Sequence, residues 1–188
     1  MQAEYTEPIV RMTYEDYVLI PEDGKRHEII DGIEYVTAAP NVRHQRIIGR
    51  LFNRLYTYAE ETGAGEVFVA PVDNILSDID IVQPDILFVS EGRAGIIEEH
   101  GLVEAPDLVA EVLSPSNRRH DEVRKLQLYE RFGAGEYWIL DPERDTVTVY
   151  RLEGARYGKP RLLRAEADDR LTTPLLPDWE IPLADLFA

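Results

Sequence analysis

Apolar positions along the chain follow two rhythms, one recurring every three to four residues and one running in short blocks. Residues 41–61 follow the first. At 100° per residue Ile47, Ile48, Leu51, Leu55 and Tyr58 share one helix face, Arg43, Arg46, Arg50 and Arg54 form a stripe beside it, and Gly63-Ala64-Gly65 stops the pattern. His44 projects onto the apolar face near the N-terminus of this helix, either as a hydrogen-bonded core histidine or as one that faces a site. A second helix is predicted over 118–132, opened by Ser114-Pro115-Ser116-Asn117 and stopped by Gly133-Ala134-Gly135. A short one over 14–19 is capped by Thr13 and ended by Pro21-Glu22-Asp23-Gly24.

The blocks predict strands. Segments 26–30 and 33–37 flank Asp31-Gly32, the two-residue signal of a tight hairpin. Further strands are expected at 66–71, 79–82, 85–89, 108–113, 137–140, 146–152 and 161–165, with a loop rich in Gly and Glu over 90–104. The tail, 175–188, carries Trp179, Leu183, Leu186 and Phe187 and is expected to dock on the core. Helix, hairpin, long helix, strands, helix, strands is an α/β plan: one mixed central β-sheet flanked by helices. At 188 residues the chain forms a single domain, with its core over about 12–187.

Two strands break their own pattern. Val82-Gln83-Pro84-Asp85-Ile86-Leu87-Phe88-Val89 and Leu108-Val109-Ala110-Glu111-Val112-Leu113 each carry one carboxylate where a hydrophobe is expected. An ionised carboxylate inside a buried strand costs several kcal/mol, roughly, unless it meets a metal, a cation or hydrogen-bond donors. Two convergent carboxylates suit a hard divalent cation, Mg²⁺ or Mn²⁺, so Asp85 and Glu111 are read as a shared metal site. The alternative is that Asp85 caps a turn and Glu111 pairs with a core cation. On the following helix Lys125 falls within the apolar face, among Asp121, Leu128, Tyr129 and Phe132, and is turned toward the sheet that carries Glu111. There it meets the carboxylates and a phosphate, or pairs with Asp121 at i,i+4, or both. Glu28, on the first hairpin strand, is either a surface glutamate or a third carboxylate of the site.

Composition narrows the chemistry. The chain has no cysteine, which excludes thiol and disulfide chemistry and fits a reducing cytoplasm. Its N-terminal residues are polar and acidic, and no apolar run reaches membrane-spanning length, so a cytoplasmic protein without a membrane partner is expected. Lys and Arg number 20 against 36 Asp and Glu, a net charge of −16 that repels phosphate backbones at long range. DNA binding therefore needs local patches, for which Arg118, Arg119, Arg124 and the stripe from Arg43 to Arg54 are candidates.

Glu28-Ile29-Ile30-Asp31-Gly32, Gln83-Pro84-Asp85, Glu111-Val112-Leu113-Ser114-Pro115-Ser116, the run Asp121, Lys125, Tyr129 and the following Glu136-Tyr137-Trp138-Ile139-Leu140-Asp141-Pro142 together resemble the Uma-two-type endonuclease family. That family is a bacterial group within the PD-(D/E)XK, or restriction-endonuclease-like, superfamily, and the resemblance runs from about Met12 to Phe187. It implies a restriction-endonuclease-like fold and a Mg²⁺-dependent (or Mn²⁺-dependent) endonuclease that hydrolyses DNA. Asp85 and Glu111 would be the metal ligands, Lys125 the transition-state cation and Glu28 an additional acid, with His44, Tyr129 and Gln83 as accessory positions. One departure stands out: the lysine expected two residues after Glu111 is Leu113, and Lys125 looks like its replacement on the next helix. Nuclease relatives often act as dimers, so a homodimer is among the expectations. The rival is a catalytically inactive nuclease-fold module that binds DNA or protein. A third reading, hydrolysis of a small phosphorylated metabolite, suits the acidic surface without a specific motif.

Overall fold

The computed structural model describes residues 11–37, 40–115 and 118–188. Helix α1 (Tyr14–Tyr17) is one turn closed by a capping box: the Thr13 hydroxyl accepts from the Asp16 amide and the Asp16 carboxylate accepts from the Thr13 amide. The hairpin of β1 (Arg26–Ile30) and β2 (Ile33–Thr37) turns at Asp31 and Gly32, whose φ of 54° and 76° are the left-handed pair that a two-residue turn requires. Helix α2 (Val42–Thr62) starts at Asn41, whose side-chain oxygen accepts from the His44 amide, and stops at Gly63 in the left-handed region.

Next come β3 (Gly65–Val69), β4 (Asn74–Ser77), β5 (Asp80–Val82) and β6 (Ile86–Ser90). The 90–104 segment, expected as loop, holds a 3₁₀ turn and the two-residue strands β7 (Ile97–Glu98) and β8 (Gly101–Leu102). After β9 (Leu108–Val112), the predicted helix opens with a π-helical turn, His120–Lys125, before α3 (Leu126–Phe132). The cap predicted at Ser116 and Asn117 lies outside the described residues. The chain then forms β10 (Glu136–Asp141), β11 (Thr146–Glu153), β12 (Arg156–Tyr157), β13 (Arg161–Arg164), β14 (Arg170–Thr172), β15 (Glu180–Pro182) and α4 (Leu183–Phe187).

The α/β plan holds, but the strands divide between two principal sheets where one was expected. The first runs β2-β1-β5-β4-β8-β7, the second β12-β11-β10-β9-β6-β3 with β13 against β11, and β14-β15 is a separate ribbon. Both principal sheets are mixed: β4–β8 and β9–β10 are parallel pairs among antiparallel ones. Gln83-Pro84-Asp85 is the crossing point. Proline has no amide to continue the β5 ladder, and the chain leaves the first sheet there to enter the second at β6.

Side-chain alternation splits the second sheet's two faces between separate cores. Phe88, Leu108, Ala110, Val112, Trp138 and Leu140 pack with Ile47, Leu51 and Leu55 of α2 and with the docked tail, including Trp179 and Leu186. Leu87, Val89, Val109, Leu113, Tyr137 and Ile139 pack with Leu128 and Tyr129 of α3 and with Ile30 and Val82 of the first sheet. Alternation places Glu111 on this second face.

Candidate active site

The candidate site forms where the two sheets meet. β6 and β9 are antiparallel with Ile86 opposite Ala110 and Leu87 opposite Val109, and one further step of that register sets Asp85 opposite Glu111. The Val112 amide donates to Asp85 Oδ2 at 2.9 Å, which holds the aspartate against the end of β9. From the first sheet, alternation along β1 sends Arg26 and Glu28 to one face. The Gln83 amide donates to Glu28 Oε1 at 2.8 Å, and Arg26 donates to Asp85 Oδ1 and to the Gln83 carbonyl, both at 3.0 Å.

Two helices complete the cluster. From the first turn of α2, His44 Nε2 lies 3.2 Å from Asp85 Oδ2, so this histidine faces the site. From the π-helical turn, Lys125 Nζ donates to Glu111 Oε1 at 2.7 Å and reaches Glu28 Oε1 at 2.8 Å, while Asp121 Oδ1 is 3.7 Å away. His120 Nε2 is 3.0 Å from Glu28 Oε2. Glu28, Asp85, Glu111 and Lys125 are at most 2% exposed, so solvent contributes little to their neutralisation.

A family model described as "Putative restriction endonuclease" matches residues 14–184, nearly the whole chain. The chain belongs to this family, Uma2. A solved structure described as "a putative nuclease belonging to DUF820", from Anabaena variabilis ATCC 29413, superposes with a TM-score of 0.80 at 21% identity, covering 94% of this chain and 97% of that one. At that identity the likeness is one of fold. No curated protein sequence matches the chain.

Electrostatics distinguish the acids of this Uma2 chain. Burial opposes ionisation of Glu28, but the Lys125 charge and the His120 contact outweigh it and hold the carboxyl down at about 2. Burial likewise opposes ionisation of Asp85, yet His44, Arg26 and the Val112 amide bring it to about 2. Glu111 goes the other way. Burial, with the nearby Asp85 and Glu28 charges, outweighs Lys125 and pushes it up to about 7. Asp121 is raised well above the usual carboxylate range, again by burial first and then by Glu111, Glu28 and Asp85.

The same imbalance can be counted in charges. Four carboxylates, Glu28, Asp85, Glu111 and Asp121, face two permanent cations, Arg26 and Lys125. Were all four ionised, they would exceed these two cations by two negative charges, the amount one divalent cation neutralises; the raised Glu111 and Asp121 mark bound protons as the alternative counter-charge. Among the described residues no group of three or more His, Asp or Glu is arranged as a ready-made metal cage. Mg²⁺, however, is commonly held by one or two carboxylates, with water and substrate phosphate completing its shell. In donor chemistry and in charge, Asp85 and Glu111 therefore fit a hard dication.

The remaining expectations separate. Gln83 reaches the cluster through its backbone, whereas its side-chain amide donates to Asp73 Oδ1 at 2.7 Å and to the Tyr17 hydroxyl at 3.0 Å. The Tyr129 hydroxyl is buried without a hydrogen-bond partner among the described residues. Arg118, expected as a phosphate contact, is tied to Asp141 at 2.8 and 3.2 Å and to Glu122 and Glu143. Arg43 pairs with Asp145, and Arg50 donates to the Leu186 and Ala188 carbonyls, so half of the α2 stripe serves the fold. Arg26 and His120 were not anticipated. The signal for Arg26 was its spacing, two residues before Glu28 on the same strand; His120 had none, because its partner lies 92 residues away.

Proposed function

We propose that this Uma2-family chain is an endonuclease that hydrolyses phosphodiester bonds of DNA with Mg²⁺ or Mn²⁺. The observation that carries this reading is the convergence of Glu28, Asp85, Glu111 and Lys125 from separate elements into one buried cluster in which acids outnumber the permanent cations. Asp85 and Glu111 would hold the metal, which when bound supplies Lewis acidity toward a phosphate oxygen and toward water. Lys125 has three N–H donors, and its ammonium stabilises the charge that builds on the phosphorus. Glu28 orients Lys125 through Oε1 and His120 through Oε2. Arg26 and the Val112 amide fix the Asp85 carboxylate. Exposed Arg46, Arg54 and Arg119 are the phosphate contacts that offset the acidic total.

We place the protein in the cytoplasm, consistent with its cysteine-free sequence, and propose a homodimer as the form that reaches both strands. Among the described residues no helix is long and apolar enough to cross a membrane.

One observation favours the rival, an inactive nuclease-fold module. Arg26, His44 and Lys125 already engage the acids, as they would in a structural ion network. Incubating labelled DNA with Mg²⁺ or Mn²⁺ separates the two. Wild type cuts only with metal, and Asp85→Ala and Lys125→Ala lower the rate by about 10²-fold or more. Equal activity in all three would sink the site, and no activity in any would favour the module.

A further inference from the structure

Asp121 has no part in the mechanism above, yet it is the most anomalous acid in the cluster. Its side chain is fully buried, and neither carboxylate oxygen has a hydrogen-bond partner among the described residues. Buried polar atoms left this way are rare and call for an explanation. Lys125 Nζ, at 3.7 Å from Oδ1, is too far for a hydrogen bond but within roughly 1 Å of one. Among the described residues the Asp121 carboxylate makes no hydrogen bond that holds its own turn in place; the backbone does. The Tyr137 hydroxyl donates to the Asp121 carbonyl at 2.9 Å, and the Tyr137 ring packs 5.2 Å from that of Tyr129. The carboxylate is thus available for another role, inside a π-helical turn, a form that occurs frequently at functional sites.

Lys125 is shared by Glu28 and Glu111, and Glu111 is the acid that the proposed metal also needs. We propose that Asp121 is the positioning residue for Lys125 in the metal-loaded protein. As Glu111 gives its charge to the divalent cation, the ammonium keeps Glu28 and gains Asp121 as its second anchor. Its third N–H is left for the substrate. This inference rests on the metal-dependent reading above.

Asp121→Asn keeps the shape and removes the charge. It breaks no side-chain hydrogen bond found among the described residues, so metal-free Asp121→Asn melts at or above the wild-type temperature. Calorimetric titration with Mn²⁺ then gives about 10-fold weaker binding, and kcat for DNA cleavage falls about 10–100-fold with KM unchanged. Wild-type Mn²⁺ affinity and kcat in the variant overturn the positioning role alone. A melting temperature well below wild type with Mn²⁺ affinity unchanged makes Asp121 structural and overturns it too. Wild type that binds no Mn²⁺ overturns the metal reading, and this inference with it. Should Asp121→Asn not fold, Tyr137→Phe loosens the same turn without touching a charge. A smaller loss of Mn²⁺ affinity then supports the role, and no loss overturns it.

Discussion

The two faces of β9 are built from neighbouring residues and obey opposite rules. Leu108, Ala110 and Val112 meet α2 and the tail in a core of hydrophobic side chains, where stability comes from apolar burial. Glu111, between Ala110 and Val112 in sequence, points to the other side, where four acids are set against Arg26 and Lys125. Buried ion pairs are weak contributors to stability, because desolvation offsets much of their attraction. The first face therefore explains why the chain folds. The second is a cost that the fold carries, and the proposed chemistry would be the reason to carry it.

Removing a cation from the polar face has the largest expected effect. Lys125→Ala leaves Glu28 and Glu111 buried without their ammonium and destabilises the metal-free protein at pH 7 by about 3–5 kcal/mol, read by denaturant unfolding. Adding Mn²⁺ restores more stability to this variant than to wild type. A loss under 1 kcal/mol would mean that the acids are already neutral. On the apolar face, Leu51→Ala costs about 3 kcal/mol through the cavity it leaves, yet Mn²⁺ affinity stays at the wild-type value. If both properties fell together, the two faces would not be independent.

That separation was only partly legible in the sequence. The hairpin at Asp31-Gly32, helix α2, strands β6 and β9, and the inward turn of Lys125 followed from local spacing, because each reports a period or a turn within a few residues. The strands β4, β7, β8, β12, β14 and β15 are two to four residues long, too short for a period to register. The division into two sheets depends on which distant strands find each other, so only the break at Pro84 hinted at it. Glu28, Asp85, Glu111 and Lys125 stood out as charges at apolar positions or within a recognised pattern. Asp121 was legible as the i,i+4 partner of Lys125 on the same helix face. Arg26 read as an ordinary surface-type residue until folding brought it to Asp85 from 59 residues away.

The pH dependence of stability sharpens the contrast at smaller scale. Glu28 and Asp85, held at about 2, contribute stability present above the unfolded carboxylate range and lost as pH falls through about 2. Glu111, raised to about 7, contributes stability present below its unfolded pKa and lost as pH rises through about 7; Asp121 acts in the same direction. Metal-free wild type therefore loses stability between about pH 5 and 7 more steeply than Glu111→Gln. Parallel thermal unfolding curves across that range would contradict the Glu111 assignment. The smallest effect is at the start of α2: Asn41→Ala removes the cap on the His44 amide and costs about 1 kcal/mol, with His44 less firmly held against Asp85.

On the proposed function, the excess of acids over cations where the two sheets meet takes one divalent cation. A crystal structure with Mn²⁺, read by its anomalous signal, tests this most directly. One strong peak is expected within coordination distance of both Asp85 and Glu111, absent in Asp85→Ala. Acids still closed on Arg26 and Lys125 at millimolar Mn²⁺, with no peak between them, would contradict it.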